Sequence, residues 1–214
     1  MSLMTFSSCN SQGKINDAIT PLEQESNPAI RTNFTSEANV IYRDKKDNLW
    51  FGTSNLGVYL FDGKEIRWMY ESQHVESPEG GNFGVRSIGE DQDGHYWISN
   101  AHYRYEVSPI QTETEGLQAI NYKRKIGVEK KAKEDLYLYS METDRNGDLL
   151  MFAKEDGLWR NNGEELTEFF IEDGEKSISP TSMYKDYQGM IWLESEQDGI
   201  YKYDGTSFEK FQIN

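Results

Sequence analysis

Asp186 to Gly205, DYQGMIWLESEQDGIYKYDG, reads as a turn, a strand, a second turn, another strand and a closing turn. Weaker copies precede it. Four acidic turns align, at Asp44-Lys-Lys-Asp-Asn48, Asp91-Gln-Asp-Gly-His95, Asp144-Arg-Asn-Gly-Asp148 and Asp186-Tyr-Gln-Gly-Met190. Six residues after each leading Asp stands Trp50, Trp97, Leu150 or Trp192, and seven further stands Gly57, Arg104, Gly157 or Gly199. Self-similarity at a period of about 20–50 residues marks a repeat architecture, so it takes precedence over any local reading.

Each copy has the same strand pattern. Apolar stretches precede the turn at Val40–Tyr42, Val85–Ile88, Leu138–Met141 and Ser182–Tyr184. Further strands are expected at Leu49–Phe51, Tyr96–Ile98, Leu149–Phe152 and Ile191–Leu193, then at Val58–Phe61, Tyr105–Val107, Leu158–Arg160 and Ile200–Tyr203. A fourth set follows at Ile66–Tyr70, Leu117–Tyr122, Leu166–Phe170 and Phe208–Ile213. Short aromatic and β-branched runs bounded by Gly, Asp and Asn are strand signals. Four strands per unit of about 40–50 residues is the spacing of a propeller blade. The expected fold is all-β, a β-propeller of four repeats of four antiparallel strands, closed as a four-bladed ring. The alternative is an open arc that needs a partner, because repeat units bury their faces only against neighbours.

These residues resemble the two-component regulator propeller repeat, whose blades carry Asp-x-x-Gly-x-Leu-Trp-x-Gly-Thr, then a Gly and an aromatic-Asp-Gly turn. Asp44 to Thr53 with Gly57 and Phe61-Asp-Gly63 follows that pattern, although Asp47 stands where the first glycine belongs. Asp186 to Gly205 follows it nearly as well. Unit two departs at Arg104 and at Ser108-Pro109, and unit three departs at Leu150. The resemblance implies a periplasmic sensor module of bacterial two-component receptors, often for glycan breakdown products.

Residues 37–214 form the expected propeller domain. Residues 1–36, polar and aperiodic, read as a tail or linker whose Ile30–Phe34 end is able to add a strand or cap. Cys9, the single cysteine, follows Ser7-Ser8, as at the end of a bacterial lipoprotein signal. Cys9 is therefore the expected lipidation site, and the expected location is the periplasm or cell envelope. No 18-residue apolar run suggests a membrane span. A net charge of −15 argues against nucleic acid as a partner. The basic run Lys123–Lys133 reads as a solvated loop between units two and three.

The acidic turns place oxygens at alternate positions, as a calcium loop begins, but the glycine comes early and no bidentate Glu follows. The Asx-turn reading is preferred, and no cofactor is expected. His74, His95 and His102 show no zinc spacing, and no serine sits in a nucleophile elbow. Trp50, Trp97 and Trp192 read as packing between blades, and Trp159 as packing at an edge. Binding is expected where the repeat fails, on the face shared by the second-to-third-strand loops and the blade connections. There Asn100-Ala-His-Tyr-Arg104 reads as an irregular loop, and the long Glu71–Gly84 connection reaches the same face. The candidate ligand-binding residues are His74, Asn82, Phe83, Asn100, His102, Tyr103 and Arg104. The leading function is a non-enzymatic sensing or interaction module, with a carbohydrate or a protein as partner. A lyase or hydrolase would need His74 or His102 to meet a carboxylate at the channel mouth. A protein-docking scaffold would use unit two as its contact.

Overall fold

The computed structural model describes residues 12–14, 38–75, 83–108, 118–127, 136–153, 157–169, 171–173, 176–178 and 180–212. Cys9, Ile30–Phe34 and Asn82 lie outside them. In chain order, β1 (Gln12–Lys14) comes first. Blade one follows with β2 (Ala38–Arg43), β3 (Leu49–Thr53), β4 (Val58–Phe61) and β5 (Ile66–Met69), then the single helical turn α1 (Ser72–Val75). Blade two uses β6 (Ile88–Glu90), β7 (Tyr96–Ile98), β8 (Asn100–Val107) and, after β9 (Gln118–Ala119), β10 (Tyr122–Ile126). Blade three is β11 (Leu138–Thr143), β12 (Leu149–Ala153), β13 (Gly157–Asn161) and β14 (Glu165–Phe169). A short hairpin of β15 (Glu172–Asp173) and β16 (Lys176–Ser177) leads to blade four, β17 (Pro180–Lys185), β18 (Ile191–Ser195), β19 (Gly199–Tyr203) and β20 (Phe208–Lys210). The four antiparallel four-stranded sheets follow one another in a ring, a four-bladed β-propeller.

The repeated turn explains itself chemically. In all four copies the N–H of the leading Asp donates to the carbonyl four residues on, at 2.8–3.0 Å. Its carboxylate accepts the N–H of that same residue at 2.9 Å. Gly94, Gly147 and Gly189 take positive φ in the turn, and Asp47 adopts the same left-handed backbone at φ 65°. The tryptophan six residues on closes the motif: Trp50, Trp97 and Trp192 each donate Nε1–H to the turn carboxylate, at 2.9–3.1 Å. In blade three Leu150 has no such donor, and Oδ2 of Asp144 is buried without a partner.

Successive strand residues face opposite sides of a sheet, so this tryptophan projects toward the following blade. The residues on either side of its counterpart there face back. Trp50 thus meets Tyr96 of blade two at 4.4 Å between ring centroids. Three apolar clusters seal the junctions one–two, two–three and three–four. Trp159 is buried in the second of them rather than packed at an edge.

Unit two departs from the expected layout. Asn100–Arg104 is not a loop but the start of β8, which runs directly on from β7 through Ser99, at φ 48°. The fourth strand is Tyr122–Ile126, not Leu117–Tyr122. The start of the basic run is therefore structured, with Lys125 opposite Arg104 and Tyr122 opposite Val107. Gln118–Ala119 instead pairs in parallel with β5 of blade one. Ile120, 1% exposed, donates its N–H to the Trp68 carbonyl at 2.8 Å. Residues 118–127 thus form a strap across the outside of the one–two junction. Blade three also gains a fifth strand, because β1, from the stretch read as a linker, pairs with β14.

Candidate functional site

The anticipated site residues fall in three places rather than one. Phe83, 39% exposed, lies 5.8 Å from the Tyr137 ring on the face of the blade connections. The Tyr137 hydroxyl donates to the Gly84 carbonyl, and burial pushes its pKa up to about 12. Asn100 is buried close by, bridged to Tyr137 through its backbone, and its side-chain oxygen accepts the His102 N–H at 2.6 Å.

The second group lies between α1 and the outer strands of blade two. Its centre is Glu71, 4% exposed, which accepts hydrogen bonds from Tyr105 (2.9 Å), Tyr122 (2.7 Å) and Arg124 (3.3 Å). Arg124 also lies over the Tyr103 ring at 4.2 Å, and His102 meets Tyr103 edge-on at 4.2 Å. His74 is 0% exposed, edge-on to Tyr105 at 5.0 Å, and neither ring nitrogen has a hydrogen-bond partner. Burial, helped by the Arg124 charge, lowers its pKa to about 3, so the imidazole is neutral. The neutral, water-excluded histidine packs beside a carboxylate already holding three donors, and neither is presented to a substrate.

The third group surrounds Arg104, which is 1% exposed and contacts Asp91 at 3.4 Å and Asp93 at 3.3 Å. The Asp91, Asp93 and His95 ligand atoms lie within 4.8 Å of one another. The cation these carboxylates face is the Arg104 guanidinium, and Lys125 Nζ stands 3.0 Å from His95 Nε2. Burial raises the pKa of Asp91, but hydrogen bonds from His95 and Trp97 outweigh it and hold the carboxyl below its ordinary value.

A cleft of about 240 Å³ opens elsewhere, under the strap between blades one and two. Lys46, Asn48, Arg67, Gln118 and Asn121 supply its polar lining, and Leu60, Val107 and Ile120 its apolar wall. Arg67 is 3% exposed; Asp62 (3.0 Å) and Glu65 (2.6 Å) hold its terminal nitrogens, while Nε has no partner. A concave apolar wall with a few convergent donors and amides suits a small polar ligand. Reading from the sequence missed this cleft because two of its walls, Gln118 and Asn121, come from the strap. One local signal was present: Arg67 interrupts the apolar strand Ile66-Arg67-Trp68-Met69.

Comparison with known proteins agrees with the fold. Residues 34–55 match the family model described as two component regulator propeller. None of the curated proteins matches the chain. Among solved structures, the chain is similar to a catalytically inactive virginiamycin B lyase from Staphylococcus aureus with quinupristin, at 14% identity and a TM-score of 0.53. That match covers 95% of this chain and 60% of the lyase. The extracellular domain of a hybrid two-component system from B. thetaiotaomicron matches at 20% identity and a TM-score of 0.51, covering 82% of this chain and 21% of that one. The chain spans about 60% of the first structure's length and about a fifth of the second's. At these identities the likeness shows the propeller fold. Among the described residues no helix is long and apolar enough to cross a membrane.

Proposed function

We propose that this chain is a non-enzymatic sensing or interaction module of the bacterial cell envelope that takes a small hydroxyl-rich ligand, such as a glycan fragment, in the cleft under the strap. The observation that carries this reading is the cleft itself, where Lys46, Arg67 and three side-chain amides converge on an apolar wall. The repeat match at residues 34–55 and the likeness to an extracellular two-component domain support the envelope setting. Lipidation at Cys9 would hold such a module at a membrane surface by its tail; mass spectrometry of the protein from its native membrane checks it.

Thermal-shift screening against neutral and acidic oligosaccharides tests the ligand. At least one should raise Tm, and K46A combined with Q118A should remove that rise, while F83A on the opposite face should keep it. A rise lost with F83A and kept in the double variant would move the site to the blade-connection face. A screen with no rise at all would overturn the ligand reading.

The likeness to a lyase favours a second reading, an enzyme. Burial of His74 and saturation of Glu71 weigh against it. Quinupristin incubated with the protein should remain intact by mass spectrometry, and its breakdown would overturn the non-enzymatic reading.

A further inference from the structure

The four turn aspartates carry the same carboxylate but not the same partners. Oδ1 always accepts N–H groups of its own turn. Oδ2 takes side-chain donors: Asn48, Trp50 and Tyr96 on Asp44, Trp97 and Arg104 on Asp91, and Trp192 on Asp186. In blade three these donors are missing. Leu150 stands for the tryptophan, Asp148 for Asn48, and Ile191 of blade four for Tyr96. Arg160, paired with Leu150 as Arg104 is with Trp97, turns to Asp148 instead, at 2.6 Å. Asp144 is 6% exposed, and its Oδ2 is left without a partner. A buried acceptor without a donor is costly.

Asp144 lines a pocket of about 160 Å³ between the turns of blades three and four, together with Arg145, Met190, Ile191, Tyr203 and Asp204. A second unpartnered group lines it as well. The Tyr203 hydroxyl is buried in a residue 4% exposed and has no hydrogen-bond partner. Burial raises its pKa, so the phenol keeps its proton. Asp204 is exposed, and N–H groups of Ser207 and Thr206 hold its carboxyl below the ordinary value. Arg145 does not supply the missing donor. The residue after a turn aspartate reaches the next blade's turn: Lys45 Nζ donates to the Asp91 carbonyl (2.6 Å), Gln92 to Asp148 (2.6 Å) and Arg145 to the Gln188 carbonyl (2.9 Å).

We propose that this pocket binds the ammonium group of a small organic amine. An ammonium offers three donors and no acceptor, which suits an open carboxylate oxygen beside an open phenol oxygen. Two carboxylates against one guanidinium leave the lining one charge negative, the complement of a monocation. Met190 and Ile191 provide apolar surface for the attached carbon chain. A divalent ion fits less well. Among the described residues neither Asp144 nor Asp204 belongs to a group of three metal-ligating side chains, and calcium takes about six to eight oxygens. This inference does not depend on the strap cleft or on its ligand.

Butylammonium chloride is titrated into the full chain and followed by amide NMR, against sodium chloride of equal ionic strength. The Gly189 and Gly205 signals should shift with a Kd on the order of 1 mM, while those of Gln118 and Ile120 in the strap stay in place. D144N keeps an oxygen for the turn N–H groups but loses the charge, and should weaken the response about tenfold. Y203F, which leaves the turn untouched, should weaken it by a smaller factor. Butan-1-ol, with the same carbon chain and no charge, should give no shift. Absence of a shift at about 10 mM amine, a shift unchanged in both variants, or an equal response to butan-1-ol would overturn the inference. So would calcium chloride moving the same signals at lower concentration than the amine, the mark of a metal site.

Discussion

Trp50 and Trp192 occupy the same place in the repeat, make the same Nε1–H bond to a turn carboxylate, and differ only in what lies beyond them. Trp50 is fully buried against Tyr96, whose hydroxyl also donates to Asp44 at 2.8 Å. Trp192 looks out over an exposed face, and Asp186 receives no hydroxyl from a following blade. The motif therefore builds the turn by itself, whereas the energy of the indole depends on the neighbour. A buried tryptophan removes about 150–250 Å² from water, worth roughly 4–6 kcal/mol at about 25 cal/mol per Å².

The strongest test of this contrast is truncation of the two indoles. W50A should lower the unfolding free energy by about 3–5 kcal/mol, measured by urea denaturation at low protein concentration, and W192A should cost less than half of that. Equal losses would mean that the turn hydrogen bond, not the junction, sets the value. The one–two junction should also carry a pH dependence. His74 titrates near 6.5 when unfolded and at about 3 when folded. The unfolded chain thus binds the extra proton between those values, and stability falls as pH drops below 6.5. The slope from this one group approaches about 1.4 kcal/mol per pH unit. In H74F, which keeps a ring against Tyr105, the stability curve from pH 6.5 to 4.5 should flatten by that amount.

Smaller effects refine the picture. Y96F removes one donor from Asp44 but leaves Trp50 and Asn48 in place, so about 1 kcal/mol should be lost. Burial raises the pKa of Asp44, and hydrogen bonds from Asn48, Tyr96 and Trp50 outweigh it, leaving the carboxyl below its ordinary value. Y96F should therefore raise the Asp44 pKa, a shift that carboxyl-carbon NMR reads directly. Last, D47G relieves a left-handed aspartate, and its exposed pair with Arg43 contributes little. Stability should rise by about 0.5–1 kcal/mol.

The blades were legible because each Asp, Gly and Trp acts within its own turn, over six to thirteen residues, and leaves its mark in one stretch of chain. The strap was not. Tyr122-Lys-Arg-Lys-Ile126 alternates like a strand, but its charges read as a loop because the buried Glu71 that holds Arg124 lies about fifty residues earlier in the chain. Nor does anything local tell that Gln118–Ala119 would leave unit two and lie along β5. The candidate site shared this limit. Phe83 was found exposed on the expected face, whereas Arg104 and His74, chosen for their chemistry, proved buried among partners that sequence distance had hidden. The reach of Lys45, Gln92 and Arg145 to the next turn was equally hidden, since three unlike residues do one task.

The strap also bears on how the chain acquires its shape. β5 is bordered by residues about fifty positions later in the chain, and β8 waits for β10 from the same segment. Until residue 126 has been synthesised, both blades present an unpaired strand edge, the kind that recruits other chains. Blades one and two should therefore gain protection from hydrogen exchange together, as one unit, while blade four, which among the described residues shares an apolar cluster with blade three but none with blade one, opens first.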